Sequence, residues 1–101
     1  MKLILRFFLL ISVFFSFCHA WGYTPQKGFV PNAEIAAKIA EIILEPIYGE
    51  SNIHRQKPFH VILKDGAWVV EGTLPKSYVG GSFLIKIAKE DGRVLYLEHT
   101  K

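Results

Sequence analysis

The chain has 101 residues, 12 Lys and Arg against 9 Asp and Glu, and 50% hydrophobic content, which is room for one small domain. The first 20 residues hold 15 of the hydrophobic side chains, five of the eight Phe and the lone Cys. Without them ten basic side chains face nine acidic ones, which excludes nucleic-acid binding driven by a basic patch, a disulfide-stapled scaffold and a multidomain enzyme.

The first twenty residues read as an address. Lys2 and Arg6 give a short positive start, and Phe7–Phe17 is an apolar run. That run is too short to cross a hydrocarbon core, which takes roughly 20 residues, and fits the apolar stretch of a secretory signal, about 7–15 residues. Cys18-His19-Ala20 supplies small residues at the −3 and −1 positions of a cut after Ala20. Lipidation of Cys18 and an uncleaved anchor are the competing readings, and lipidation wants a small residue before the Cys, where Phe17 stands. The expectation is a signal peptide over 1–20, export to the periplasm, and a mature chain that starts at Trp21 and keeps no Cys.

Residues 21–31 contain Gly22, Pro25, Gly28 and Pro31 and form an irregular lead-in. Asn32 then stands at a helix N-cap, and Glu34 suits the positive end of the helix dipole. Ile35, Ile39 and Ile43 recur every four residues, with Ala36, Ala40 and Ile42 beside them and Lys38, Glu41 and Glu45 opposite. This is an amphipathic helix whose small residues allow close approach to a sheet. Pro46 costs a hydrogen bond, so the helix is expected to end or bend near Glu45. Ile47, Tyr48 and Gly49 make a closing turn, and Glu50–Lys57 reads as a polar connection.

From Pro58 the period changes to two. Phe59–Lys64 and Ala67–Thr73 flank Asp65-Gly66, a hairpin signal because both central positions of the favoured turn need positive φ. A two-residue turn sets Leu63 against Trp68 and Val61 against Val70, with Phe59 near Gly72, all on one face. The other face pairs Ile62 with Val69 and His60 with Glu71, and a one-residue slip would scramble the division. After Leu74-Pro75 and a link over Lys76–Gly81, Ser82–Lys89 and Arg93–Thr100 form a second hairpin around Glu90-Asp91-Gly92. A three-residue turn with Gly92 left-handed puts Phe83, Ile85 and Ile87 on one face with Leu95 and Leu97. Residues 32–101 are thus one α+β domain, a single N-terminal helix on a curved four-stranded antiparallel sheet, cystatin-like in outline. Trp68 is the largest side chain assigned to the core.

Chemistry-bearing residues are sparse. His54, His60 and His99 lie in a loop and on separate strands, too scattered for a metal site. His60 and Glu71 form a cross-strand pair rather than half of an acid–base couple, since no nucleophile stands near. Gly80-Gly81 lacks the Lys-Ser/Thr of a phosphate loop. Lys86, Lys89 and Arg93 are interleaved with Glu90, Asp91 and Glu98 on a solvated face. Trp21, Tyr23, Tyr48 and Tyr78 are aromatics at turns and ends, the residue types that dominate interface energy.

Several strings resemble the bacterial immunity-protein family with the nuclear-transport-factor-2-like fold, found beside polymorphic and contact-delivered toxins. They are Gly28–Glu34 (GFVPNAE), Ile39–Glu50 (IAEIILEPIYGE), Lys57–Phe59 (KPF), Trp68–Pro75 (WVVEGTLP), Gly80-Gly81 and Asp91–Leu95 (DGRVL), in order along the whole mature chain. The resemblance implies a shortened version of that helix-on-curved-sheet fold and a non-enzymatic role, in which the protein binds a cognate toxin and blocks it.

On this reading there are no catalytic residues, cofactors or metals, the partner is a toxin protein, and neither nucleic acid nor a membrane span is involved once the leader is cut. A toxin inhibitor needs a surface of roughly 800 Å². The candidates are the uncovered sheet face (His60, Ile62, Val69, Glu71) and the loops around Tyr48 and Tyr78, giving Tyr48, Glu50, His60, Glu71, Lys76 and Tyr78 as expected partner-binding residues. The alternative is a periplasmic small-ligand binder with an apolar pocket between helix and sheet. A cystatin-type protease inhibitor would need a Gln-x-Val-x-Gly wedge, which the sequence lacks.

Overall fold

The computed structural model describes residues 22–74 and 80–101. The signal peptide over 1–20 with its cut after Ala20, and Trp21, Lys76 and Tyr78, lie outside the described residues.

Helix α1 spans Ala33–Tyr48, and the Asn32 side-chain oxygen accepts the Ile35 N–H at 2.9 Å, the cap expected there. Its buried stripe is Ala36, Ala40 and Leu44. Ile35, Ile39 and Ile43 are shoulders packed partly against the core, and Ile42 points outward at 72% exposure. The alanines, having almost no side chain, let the backbone settle on the sheet, and the isoleucines straddle the contact. Pro46 does not end the helix, which runs on to Tyr48. Pro46 is exposed and would otherwise bond the carbonyl of exposed Ile42, so that carbonyl can turn to water and the lost bond is tolerated. Gly49, at φ 94, closes the helix and returns its N–H to the Glu45 carbonyl at 2.8 Å.

The segment read as a polar connection contains a second helix, α2 (Glu50–Arg55). Its single apolar residue, Ile53, is fully buried, and so is Gln56 just beyond. One buried residue in six gives no periodicity to read.

Strands β1 (His60–Lys64), β2 (Ala67–Glu71), β3 (Phe83–Ala88) and β4 (Val94–His99) form one antiparallel sheet in sequence order. The first hairpin has the expected register, from His60 with Glu71 to Lys64 with Ala67. Asp65 and Gly66 sit at φ 50 and 74, as a two-residue turn requires.

The second hairpin departs from expectation. Gly92 is left-handed at φ 79, but Ala88 takes the Arg93 carbonyl, so the loop holds four residues. Lys86 pairs with Tyr96 and Ile87 with Val94, which leaves Leu95 as the extra residue of a bulge. Leu95 is therefore 47% exposed instead of lying on the core face, where Leu97 remains. Leu63, also expected inward, is 49% exposed on a strand that has no neighbour on one flank among the described residues.

Trp68, Val70, Phe83, Ile85 and Ile87 line the inner face and pack with Val30, Ala36, Ala40, Leu44 and Ile53 as one cluster. Phe59 meets Phe83 edge-on at 5.0 Å between ring centres. Helix α1 lies over β1, β2 and β3, not over β4.

The lead-in is irregular but anchored. Phe29 and Val30 donate to the carbonyls of Glu90 and Lys89 at 2.9 and 3.1 Å, and Trp68 Nε1–H donates to the Val30 carbonyl at 2.8 Å. A Cβ on Gly28 would stand 2.4 Å from the Lys89 carbonyl oxygen, so only glycine allows this docking.

Candidate partner-binding surfaces

Because strand side chains alternate, filling the inner face sends the other half of each strand outward. Two rows cross all four strands there. One runs Ile62, Val69, Lys86, Tyr96, and the other His60, Glu71, Leu84, Glu98. Ile62 is 60% exposed and Tyr96 47%, with Val69 and Leu84 half-buried between them.

The polar groups on this face are held in place. The Lys86 ammonium sits 5.5 Å from the centre of the Tyr96 ring, and the Tyr96 hydroxyl donates to a Glu98 carboxylate oxygen at 3.0 Å. That hydrogen bond and the carboxylate charge push the Tyr96 hydroxyl above the usual tyrosine range, so it stays a neutral donor. The face offers an apolar, aromatic row beside a carboxylate row, a pattern able to bury a partner's apolar side chains and answer its cations at the rim.

A second cluster lies on the inner side, where α1, α2 and the far end of the sheet meet. Gln56 Oε1 accepts the Phe83 N–H at 2.9 Å, and Gln56 Nε2 lies 3.5 Å from the Asn52 carbonyl and 3.3 Å from His99 Nε2. Since Phe83 N–H can only donate, the amide orientation follows. His99 Nδ1 lies 2.8 Å from the Thr100 carbonyl, which can only accept. His99 is therefore assigned as the neutral Nδ1–H tautomer, with Nε2 accepting from Gln56. Tyr48 leans on the same imidazole, ring centres 4.6 Å apart and planes at 38°. A Cβ on Gly72 would come within 2.3 Å of Gln56 Oε1, so the strand end is glycine to admit this amide. The arrangement joins four segments of the chain and is structural in character.

The expected site residues are thus divided. His60 and Glu71 face each other in register on the outer face, both exposed. Tyr48 belongs to the inner junction, and Glu50 is exposed in the first turn of α2. Lys76 and Tyr78 lie outside the described residues. Sequence reading passed over Lys86, Tyr96 and Glu98 as site members. The strand alternation could have flagged them, since the expected second hairpin already sets Lys86 against Tyr96 and Leu84 against Glu98, as observed.

Two clefts among the described residues are surface grooves. One of about 540 Å³ lies between the lead-in and the second hairpin, and one of about 550 Å³ between the Glu34–Glu41 flank of α1 and Lys57–Phe59. Among the described residues no three His, Cys, Asp or Glu converge as a metal site, and no helix is long and apolar enough to cross a membrane.

The architecture is α+β, a helix on one face of an antiparallel meander whose other face carries no helix among the described residues. A model of the NTF2 fold immunity proteins matches residues 35–101, from the first turn of α1 through both hairpins, and the chain belongs to that family. Immunity proteins act in toxin neutralisation. The uncharacterized protein YhhH of Escherichia coli strain K12 is 37% identical over 81 residues, which cover 79% of this chain and 64% of YhhH. The uncharacterized protein YbbC of the same strain is 38% identical over 76 residues, 74% of this chain and 62% of YbbC. The chain thus spans somewhat under two-thirds of the length of these relatives. No solved structure matches it.

Proposed function

We propose that this protein neutralises a toxin protein by binding and occluding it, without turnover, and that the toxin docks on the outer face of the sheet. The observation that carries the site is the Ile62–Val69–Lys86–Tyr96 row, which leaves two large apolar side chains about half exposed or more at the ends of an ordered strip. Isolated exposed apolar residues are ordinary; a row across a whole sheet, with an aromatic held by a cation and a carboxylate, favours an interface. The inner strand positions Trp68, Val70, Phe83, Ile85 and Ile87 are apolar and packed, which favours a scaffold over an enzyme pocket.

The leader at 1–20 supports action after export, in the periplasm, and the protein is expected in the periplasmic fraction with Trp21 as its first residue. The functional test is co-expression with toxin genes adjacent to its own. Wild type should rescue growth and bind the toxin, and Ile62→Lys should lose both. Rescue undiminished by Ile62→Lys would move the interface elsewhere, and failure to bind any adjacent toxin would overturn the reading.

A further inference from the structure

One corner of the outer face has hydrogen bonding of a single sense. Tyr96 is 47% exposed and has two charged neighbours. Its cross-strand partner Lys86 holds an ammonium 5.5 Å from the ring centre, and Glu98, two residues on, accepts the Tyr96 hydroxyl at 3.0 Å. A phenol has one hydrogen to give, and here Glu98 takes it. What the Tyr96–Glu98 pair still offers is acceptors alone, the lone pairs of the Tyr96 oxygen and of the two carboxylate oxygens. A partner's carbonyl or carboxylate set against this pair finds no donor, whereas an N–H finds two neighbouring oxygens.

Charge narrows the choice. Lys86 already places a positive charge by the ring, so a second cation is repelled from the ring face and drawn to the hydroxyl–carboxylate end. The neutral phenol leaves the Glu98 charge uncancelled. Glu71, the other carboxylate of this row, stands two strands away across half-buried Leu84. At about 4.8 Å per strand that is roughly 10 Å, too far for one cation to serve both. The Tyr96 and Glu98 oxygens, 3.0 Å apart, are instead within reach of the parallel N–H groups of one guanidinium. A lysine ammonium brings the charge without that fork.

We infer that the Tyr96–Glu98 corner is the specificity-determining contact of the outer face and receives an arginine side chain of the toxin. The inference rests on the outer face being the docking surface. Glu98 and the Tyr96 oxygen touch the guanidinium, and Lys86 is a positioning residue that steers it away from the ring.

The test is calorimetric titration with the adjacent-gene toxin that the wild type neutralises. Glu98→Gln keeps an acceptor for the Tyr96 hydroxyl and removes the charge, and should weaken binding about tenfold or more. Tyr96→Phe keeps the ring, loses one of the two oxygens and should weaken binding by less. Glu71→Gln should weaken it by less than about threefold, since an exposed charge that far from the contact is largely screened. All three side chains are exposed, so the variants should fold as the wild type does. Phenylglyoxal, which modifies arginine, should leave one toxin arginine protected in the wild-type complex and reactive in the Glu98→Gln complex. A readout without toxin is tyrosine absorbance against pH. Glu98 holds the Tyr96 hydroxyl above the usual tyrosine range, and in Glu98→Gln the component absent from Tyr96→Phe should move back towards it. An unmoved tyrosine titration, equal losses at Glu71 and Glu98, or no protected arginine would overturn the inference. Wild-type binding by Glu98→Gln and Tyr96→Phe where Ile62→Lys fails would overturn the arginine contact alone; undiminished binding by Ile62→Lys would overturn the outer-face reading beneath it.

Discussion

The two faces of the sheet are built from the same kinds of residue, yet they have opposite fates. On the inner face Val70, Ile85 and Ile87 are fully buried beneath α1 and α2; on the outer face Ile62 is 60% exposed. Hydrophobicity alone does not separate them, since isoleucine and valine stand on both. What separates them is the partner: the inner face has the Ala36–Ala40–Leu44 stripe laid on it, and the outer face has no helix among the described residues. A small domain that leaves one face of its sheet uncovered relies on the other for stability. Inner-face changes should therefore act on folding, and outer-face changes on binding.

The largest test of that division is Trp68→Ala. The indole is 8% exposed and donates to the Val30 carbonyl, so its loss removes core volume and unties the lead-in. About 3–5 kcal/mol should be lost, comparable with much of the stability of a domain this size, and cooperative unfolding in calorimetry should collapse. Gln56→Leu comes next. It orphans the buried Phe83 N–H and removes the donor to His99, which should cost about 1–3 kcal/mol in denaturant unfolding. Asn32→Ala removes the α1 cap and should cost about 1 kcal/mol.

A smaller effect is pH-dependent. The Lys57 ammonium, 2.8 Å from Glu41, holds that carboxyl below its usual range. A depressed folded pKa contributes stability above the unfolded carboxyl pKa that is lost as pH falls through the folded value. Lys57 is 39% exposed, so solvent screening keeps the contribution to about 0.2–1 kcal/mol. Glu41→Gln should flatten the acid limb of the stability profile by that amount. Smallest of all, Ile62→Lys should change unfolding stability by less than about 0.5 kcal/mol, because its side chain is already mostly in water.

The same contrast explains what was legible in the sequence. The first hairpin could be read to the residue because Asp65-Gly66 fixes the loop at two residues, and alternation then assigns every side chain. The second could not, because the bulge at Leu95 follows from a four-residue loop that no single residue type announces. The α1 periodicity gave the isoleucines and, beside them, Ala36 and Ala40 for close approach, as found; it placed Ile42 with the stripe, whereas Ile42 is exposed and Leu44 is buried. Helix α2 and the Gln56 junction were invisible because Gln56 is buried by tertiary partners 27 and 43 residues away, and a lone glutamine after a polar run carries no sign of that. On the outer face His60 and Glu71 could be placed, and so could Lys86, Tyr96 and Glu98, because the bulge shifts only the Ile87–Val94 end and the loop; what alternation does not show is that the three form one held cluster.

The most direct measurement pairs neutralisation with melting for the double variant Ile62→Lys, Tyr96→Ala. If the open side of the sheet is the toxin-binding surface, growth protection disappears while the melting temperature stays within a few degrees of wild type. Full protection by a normally folded double variant would contradict that account.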